Sequence, residues 1–244
     1  MNAYDFLGSH YDDLVGDPNA SQAWVDWIES AKPGHRFLEL GCGSGEITRR
    51  LAQTHQVDGL DLSPAMLEAA RAKDSEQMVH WIEGDMRDLS ALGQYDAIGC
   101  FCDSFNYLIE DQEVQDFFHI VADHLVDGGL FLFDSHGTSR LQEFAEDYEE
   151  AGTFEDGTQV QWVISTSGDE LYQDFAFYLP DGRTIEEHHL QRIYPLETLK
   201  SWLESDFEIL SVIGDFGEES LENCEKLFLI CKKKPKGSQE GEKK

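Results

Sequence analysis

Basic residues are scarce in this chain. Only 18 lysines and arginines stand against 49 aspartates and glutamates, so the formal net charge is -31 at pH 7. A surface of this sign repels the phosphate backbone of nucleic acids, and we therefore expect no nucleic-acid partner. Six of the lysines lie beyond residue 231, which leaves the body still more acidic. We expect residues 233–244 to form a disordered basic tail.

Long apolar runs and paired cysteines are also missing. The chain has no run of 18 or more apolar residues and no basic-then-apolar leader, so we expect neither a membrane span nor a secretory signal. Its five cysteines are an odd number, and Cys100-x-Cys102 is not a CxxC pair. We therefore expect reduced thiols, no metal site and a cytoplasmic location. The 244 residues allow one domain with an elaboration.

Three alternating glycines follow the first apolar strand. The run Phe37–Leu40 is typical of a buried strand, Gly41, Gly43 and Gly45 come next, and a helix starts near Glu46. Glycines at alternate positions let the backbone turn sharply and approach a ligand without Cβ clashes. This pattern is typical of loops that bind a nucleoside cofactor, either a dinucleotide or S-adenosylmethionine.

Charge distinguishes these two cofactors. A dinucleotide site holds a pyrophosphate at the helix N-terminus, and its fingerprint requires a third glycine where this chain has Glu46. A carboxylate at that place repels phosphate. S-adenosylmethionine has no phosphate and carries a sulfonium and an ammonium group, so it tolerates Glu39 and the overall acidity. The charges favour S-adenosylmethionine, and a nucleotide-dependent oxidoreductase is the less favoured alternative.

Acidic residues end the next predicted strands. Residues 57–61 end in Asp61, which can chelate two ribose hydroxyls, and a helix with Ser63 as N-cap follows. A strand that begins at Val79 leads to Asp85, which can accept a hydrogen bond from an adenine amino group. A further strand leads to Asp103, which would face the reactive end of the cofactor. Ligands of open parallel sheets bind at this edge, so the three acids are expected to share one site.

In order and spacing, residues 35–135 resemble class I S-adenosylmethionine-dependent methyltransferases. The resemblance implies that the glycine loop lies at the methionine side, that Asp61 binds the ribose and that Asp85 frames the adenine. It also implies that Asp103 meets the amino-acid part of the cofactor or the acceptor, and that the N-terminal aromatic residue Tyr11 closes over the cofactor. The predicted cofactor contacts are Tyr11, Glu39, Gly41, Cys42, Gly43, Gly45, Asp61, Leu62, Met66, Asp85, Met86, Cys102 and Asp103.

The alternation of strands and helices predicts an α/β fold. We expect a Rossmann-like, seven-stranded, mostly parallel sheet with helices on both faces. The pattern breaks at residues 152–194, where three strand-like runs predict a small inserted antiparallel β lid. The predicted regions are an N-terminal helical cap (1–34), the S-adenosylmethionine-binding core (35–137), the β lid (138–194), the rest of the core (195–232) and the basic tail (233–244).

The predicted β lid indicates the class of acceptor. The resemblance implies that such lids occur in methyltransferases of small amines, sugars and hydroxylated metabolites, whereas nucleic-acid enzymes carry basic surfaces. We therefore expect transfer of a methyl group to N or O of a small molecule, by a monomer or a homodimer. A non-catalytic protein that binds S-adenosylmethionine, or an assembly protein, is the alternative.

Few residues are needed for the chemistry itself. Methyl transfer is an in-line displacement on a sulfonium, so alignment and desolvation supply much of the rate, and only a protonated acceptor needs a base. The candidate bases are His136, just past the fifth strand, and His189 on the lid. Adjacent strand residues face opposite sides, so at most one of His188 and His189 faces the cleft. The candidate substrate contacts are Asn106, Tyr107, Arg192 and Tyr194.

Overall fold

The computed structural model describes Tyr4, residues 6–15 and residues 17–235. Most of the predicted basic tail, residues 236–244, lies outside the described residues. Lys233 is the last residue of a strand and is only 4% exposed. The start of the predicted tail therefore belongs to the folded sheet.

Two β-sheets organise the described part of the chain. Its strands are β1 (Arg36–Leu40), β2 (Gln56–Asp61), β3 (Val79–Glu83), β4 (Tyr95–Cys100), β5 (Leu125–His136), β6 (Tyr148–Thr153), β7 (Gln159–Ser167), β8 (Glu170–Tyr178), β9 (Thr184–Arg192), β10 (Phe207–Gly214) and β11 (Lys226–Lys233). Seven strands form one sheet in the order β10-β11-β5-β4-β1-β2-β3. The other four form a separate sheet in the order β6-β7-β8-β9, which we call the lid sheet.

The seven-stranded sheet is mostly parallel. The neighbours β3, β2, β1, β4 and β5 pair in parallel, and β11 pairs antiparallel with both β5 and β10. The last two strands thus form the antiparallel hairpin at the sheet edge that the resemblance implies. The predicted Rossmann-like α/β fold is confirmed.

Helices cover both faces of this sheet. The helices in the described part of the chain are α1 (Tyr11–Val15), α2 (Pro18–Ser30), α3 (Glu46–Leu51), α4 (Pro64–Lys73), α5 (Asp111–His124), α6 (Arg140–Glu143) and α7 (Leu196–Leu203). Of these, α1 and α6 pack with the lid sheet. Along β5, Phe131 packs in the same cluster as Phe117 of α5, whereas the next residue, Leu132, packs in the cluster of Trp24 on α2. This alternation buries both sides of the strand, as expected for a sheet between two helical layers. In the described residues, no helix is long and apolar enough to cross a bilayer.

The lid sheet has one strand more than the sequence predicts. Strand β6 pairs with β7, but every residue of β6 is exposed, so it shows no alternation of apolar and polar side chains. The inner strands carry that alternation, and Val160 and Phe175 pack with Leu7 from the chain's beginning. Strand β9 ends at Arg192 and not at the predicted Tyr194.

The topology brings the predicted site loops together. Because β1, β2, β3 and β4 are parallel neighbours, their carboxyl ends meet at one edge of the sheet. The glycine loop and the loops that carry Asp61, Asp85 and Asp103 all start there. The lid sheet and the N-terminal segment, which we define as Tyr4 with residues 6–15, lie over the same edge.

Candidate cofactor and acceptor site

A cavity of about 670 Å³ lies at this edge of the sheet. Its volume is within the range of about 300 to 1,000 Å³ that is typical of small-molecule sites. The N-terminal segment, the four strand ends and the lid sheet all contribute to its wall. The structure brings every one of the predicted cofactor contacts to this wall: Tyr11, Glu39, Gly41, Cys42, Gly43, Gly45, Asp61, Leu62, Met66, Asp85, Met86, Cys102 and Asp103.

The glycine loop leaves room for a ligand at one position and is crowded at another. Gly43 has a φ of +52°, and a Cβ there would meet only Met66 Cε, at 3.9 Å. Gly45 has a φ of +78°, and a Cβ there would overlap the ring of Trp81. Both positions favour glycine because of their positive φ. Gly43 is the point at which a ligand can come closest to the backbone.

Asp61 fixes the geometry around this loop. Its Oδ2 accepts a hydrogen bond from the Gly43 N–H at 2.7 Å, and its Oδ1 accepts one from the Ser63 N–H at 2.8 Å. The carboxylate thus joins the glycine loop to the start of α4. Each carboxylate oxygen can accept a second hydrogen bond, so both can also receive one from a ligand hydroxyl. This arrangement suits a vicinal diol such as a ribose.

Glu39 is a buried acid beside the same loop. It is 3% exposed, and its Oε2 has no hydrogen-bond partner among the described residues. Burial raises the pKa of Glu39 to about 8. A buried oxygen without a partner normally marks a place where a ligand, ion or water completes the hydrogen bonding. The donor groups of S-adenosylmethionine, which include an ammonium, fit this position.

We expect Glu39→Gln to change how stability depends on pH in the cofactor-free protein. A carboxyl group with a raised pKa favours folding at low pH, and this contribution is lost as pH rises through the folded pKa. Relative to Glu39→Gln, the wild type should lose about 1 to 3 kcal/mol of unfolding free energy between about pH 6 and about pH 9. Urea titrations across this range measure the loss, with the exposed Glu83→Gln as control. Parallel pH profiles for wild type and Glu39→Gln would contradict the expectation.

An ion pair lies under the loop after β4. Lys226 Nζ on β11 is 2.5 Å from Asp103 Oδ1 and 3.4 Å from Asp134 Oδ2. The Asp103 N–H also donates to Asp134 Oδ2 at 3.0 Å. Cys102 and Asp103 have φ values of +55° and +63°, a conformation that non-glycine residues rarely adopt. The ion pair and the hydrogen bond hold this strained loop against the sheet.

Burial and Lys226 set the charges of these two acids. Burial acts to raise the pKa of Asp103, but His136 and Lys226 hold it well below its usual range. Burial raises the pKa of Asp134 to about 7, although Lys226 acts in the opposite direction. Asp103 and Lys226 therefore form a fixed ion pair at the cavity wall.

The two candidate bases occupy different places. His189 and Tyr107 line the cavity, and the Tyr107 hydroxyl is 2.7 Å from His189 Nδ1. His188 lies on the opposite face of β9, with a side chain 69% exposed against 1% for His189. His136 is buried behind the wall, where its Nε2 is 3.1 Å from Gln191 Oε1 and burial lowers its pKa. Of the two, only His189 is placed to meet an acceptor.

Three of the four predicted substrate contacts are not part of the cavity wall. Asn106 is fully buried, and its amide donates to the Arg192 carbonyl oxygen at 2.7 Å. The Arg192 guanidinium pairs with Asp111 and Asp169. The Tyr194 hydroxyl donates to a backbone carbonyl at 2.6 Å. Their polar groups are used inside the protein, so a substrate would find none of them free.

Other residues of the site were not predicted. The wall includes Trp162, Gln173, Phe175 and Gln191 from the lid sheet, and Glu187 and Lys226 lie directly behind wall residues. On β9, the polar residues at 187, 189 and 191 alternate and are all buried. Buried polar residues at every second position of a strand are a sequence signal for a site. No local pattern marks Lys226.

Comparison with known proteins agrees with this geometry. Residues 37–129 match the family described as "Methyltransferase domain". The chain is 34% identical over 241 residues to "Putative methyltransferase YqeM" of Bacillus subtilis, covering 94% of this chain and 97% of that protein. It is 31% identical over 155 residues to the "dTDP-3-amino-3,6-dideoxy-alpha-D-glucopyranose N,N-dimethyltransferase" of Streptomyces fradiae, covering 63% of this chain and 56% of that protein.

A solved structure shows the same fold over nearly the whole chain. It is an S-adenosylmethionine-dependent methyltransferase from Clostridium acetobutylicum, with a TM-score of 0.80 and 24% identity. The match covers 96% of this chain and 100% of that one. The chain belongs to the class I S-adenosylmethionine-dependent methyltransferase family, because it has a near full-length relative named as a methyltransferase, contains the matched domain and shares the fold.

Proposed function

We propose that this protein transfers a methyl group from S-adenosylmethionine to an amine nitrogen of a small molecule. The observation that carries this proposal is the charge of the cavity wall. Among the described residues of the wall, Arg87 is the one lysine or arginine, and it pairs with Asp85. The wall acids are Asp12, Asp17, Glu39, Glu46, Asp61, Asp85 and Asp103. Such a wall disfavours phosphate and carboxylate groups and suits a basic amine.

Most of the wall acids have partners within the protein: Arg49 and Arg50 pair with Glu46, Arg87 pairs with Asp85, and the Asn19 N–H donates to Asp17. Lys73 pairs with Asp12, and Lys226 pairs with Asp103. Glu39 and Asp61 have no such cationic partner in the described part of the chain. They lie beside the glycine loop, where the cofactor's ammonium and ribose are proposed to bind. The proposed binding roles of both residues follow from this difference.

We propose that the acceptor binds against the lid sheet. Trp162 and Phe175 stack with ring centroids 5.2 Å apart and an interplanar angle of 18°. Gln173 and Gln191 also line the cavity, where the Gln173 amide donates to Gln191 Oε1 at 2.9 Å and the Gln191 amide donates to the Asp103 carbonyl oxygen at 3.1 Å. A mostly apolar surface with a few polar groups is typical of a small-molecule site. The aromatic pair would hold the acceptor's body and leave its nitrogen toward the cofactor.

The chain's own contribution is to align the reactants and exclude water. When bound, S-adenosylmethionine supplies an electrophilic methyl group on its sulfonium, which the lone pair of an amine can attack in line. Leu7 is buried in the apolar cluster of the lid sheet, and the Ser44 hydroxyl donates to Asp12 at 2.6 Å. The N-terminal segment thereby closes the cavity from one side. Closure of this kind removes water from the reacting groups.

Two further features support the choice of acceptor. The Streptomyces fradiae relative is named as an N,N-dimethyltransferase of an amino sugar nucleotide, which favours nitrogen as the accepting atom. The net charge of -31 makes nucleic acid an unfavourable partner. We therefore propose a small amine and no nucleic acid.

A matched set of acceptors tests the proposal. The purified protein is incubated with methyl-labelled S-adenosylmethionine and with benzylamine or benzyl alcohol, glucosamine or glucose, and phenethylamine or phenylethanol. We expect methylated product from amines, at least about tenfold above the paired alcohols. Faster methylation of the alcohols would overturn the choice of nitrogen. Tight cofactor binding with no product from any acceptor would favour the non-catalytic alternative.

A further inference from the structure

Four side chains form a continuous chain of contacts from the cavity into the lid sheet. The hydroxyls of Tyr4 and Tyr107 are 2.8 Å apart, and the Tyr107 hydroxyl is 2.7 Å from His189 Nδ1. On the far side of the imidazole, His189 Nε2 has no hydrogen-bond partner among the described residues, and the carboxylate oxygen Oε2 of Glu187 lies 3.6 Å from it. Tyr4, Tyr107 and His189 line the cavity, whereas Glu187 lies behind them.

The position of Glu187 selects one tautomer of His189. A neutral imidazole has one N–H donor and one acceptor nitrogen, and an ionised carboxylate can only accept. The side chains of Glu187 and His189 are both 1% exposed, so bulk solvent is excluded from them and the Glu187 charge is poorly screened. The proton of His189 therefore lies on Nε2, toward Glu187. Nδ1 is then the acceptor, and the Tyr107 hydroxyl donates to it.

The surroundings of these groups agree with this arrangement. Burial raises the pKa of Tyr107 well above its usual value, so this phenol stays protonated and can only pass a proton on. Burial acts to raise the pKa of Glu187, but His189 and the N–H groups of Phe6 and Leu7 lower it overall. The rings of Tyr4 and Phe175 meet the His189 ring edge-on, with centroids 4.7 and 5.3 Å from the centroid of the imidazole. Among these neighbours Glu187 is the only charged one.

We propose that Tyr107 and His189 remove the proton from the acceptor's ammonium group, and that Glu187 is the positioning residue that makes this possible. The inference rests on the proposed amine acceptor. The ammonium N–H gives its proton to the Tyr107 oxygen while the Tyr107 hydroxyl proton moves to His189 Nδ1. The nitrogen keeps the electron pair of its broken N–H bond and becomes a nucleophile. His189 becomes a cation beside the Glu187 carboxylate, and it returns the proton to water after product release.

Glu187 also connects this relay to the closed state of the site. Its Oε1 accepts hydrogen bonds from the N–H groups of Phe6 and Leu7 on the N-terminal segment. Tyr4 lies on the same segment and contacts Tyr107. The N-terminal segment therefore contacts the relay at both of its ends, Tyr107 and Glu187. Proton removal then takes place in a site from which water is excluded.

The tautomer of His189 gives a test that needs no acceptor. Protein with nitrogen-15 histidine is bound to S-adenosylhomocysteine, and His189 is assigned by its loss in His189→Asn. We expect the Nε2–H tautomer in the wild type. In Glu187→Gln the amide oxygen can still accept the hydrogen bonds from the N–H groups of Phe6 and Leu7, and the amide NH2 then faces Nε2. Because the NH2 group can only donate, Nε2 must be the acceptor nitrogen, and the Nδ1–H tautomer is expected. Glu186→Gln and His188→Asn change exposed residues of the same strand and should leave His189 unchanged.

A second measurement tests the proton transfer itself. Removing a general base typically costs about 10² to 10⁴ in rate. With the amine that reacts fastest in the acceptor set, we expect Glu187→Gln and Tyr107→Phe to lower kcat about 100-fold or more near pH 7. The loss should shrink as pH rises toward the amine's own pKa, while the Kd of S-adenosylhomocysteine stays within about twofold.

The two measurements separate the possible failures. The relay is overturned, whatever the acceptor is, if the wild type has the Nδ1–H tautomer. It is also overturned if wild type and Glu187→Gln have the same tautomer of His189. A pH-independent loss of rate in Glu187→Gln would show a purely structural role and would also overturn it. If no amine reacts but the tautomer changes as expected, the proposed amine acceptor fails while the positioning role of Glu187 stands.

Discussion

Asp61→Ala is expected to weaken binding of S-adenosylmethionine and S-adenosylhomocysteine by about 100-fold or more. Hydrogen bonds to a charged group contribute about 1.5 to 3 kcal/mol each, and about 1.4 kcal/mol corresponds to a tenfold change in affinity. Loss of two hydrogen bonds from ribose hydroxyls to the Asp61 carboxylate accounts for the expected 100-fold loss of affinity. The substitution also removes the two contacts that join Gly43 and Ser63. Isothermal titration of the folded variant measures the change.

Glu83→Ala is the matched control for this experiment. Glu83 lies opposite Asp61 on the neighbouring strand β3, but its side chain is exposed and does not line the cavity. The affinity of Glu83→Ala for S-adenosylmethionine and S-adenosylhomocysteine should stay within about twofold of the wild type. An Asp61→Ala variant that binds both ligands with wild-type affinity would place the ribose elsewhere. A thermal shift with NADH and none with the sulfur ligands would contradict the cofactor itself.

The fold and the cofactor side of the cavity could be predicted because their signals are local. The glycine loop directly follows β1, and Asp61, Asp85 and Asp103 lie at or within three residues of the ends of β2, β3 and β4. Parallel strands place such loops at one edge whatever the rest of the chain does. The sequence does not predict strand β6, because all residues of this strand are exposed and show no alternation of apolar and polar side chains.

The acceptor side could not be predicted to the same depth because its contacts join distant parts of the chain. Lys226 and Asp103 are 123 positions apart, and Tyr4 and Tyr107 are 103 apart. Arg192 and Tyr194 are polar residues near the end of the lid sheet, so the sequence suggests substrate contacts. Arg192 instead pairs with Asp111 and Asp169. Which polar residue faces a cavity depends on packing that no local spacing specifies.

Lys226→Met is expected to lower the free energy of unfolding by about 3 kcal/mol at about pH 8. The methionine fills the space of the lysine stem but leaves Asp103 without its cation. Removing one partner of a buried ion pair costs about 3 to 5 kcal/mol because the other charge stays buried. The Lys226 side chain is 29% exposed, which places the expected loss at the lower end. Urea unfolding followed by tryptophan fluorescence measures it.

The loss should depend on pH through Asp134. Its pKa is raised to about 7 by burial, so it favours folding while protonated and loses that contribution as pH rises through 7. Without Lys226, ionisation of Asp134 becomes still less favourable. The difference between wild type and Lys226→Met should therefore grow as pH rises through about 7, where Asp134 ionises in the wild type but not in the variant.

Two further variants identify the charge of Asp103 as the cause. Lys232→Met changes an exposed lysine of the same strand and should cost little. The double variant Lys226→Met with Asp103→Asn removes both charges, and it should recover part of the stability lost in the single variant. A pH-independent loss with no recovery in the double variant would mean that the lysine stem, and not its charge, supports the sheet. With recovery, the ion pair that holds the strained loop at Cys102 and Asp103 is also what keeps the acid of the cavity wall ionised.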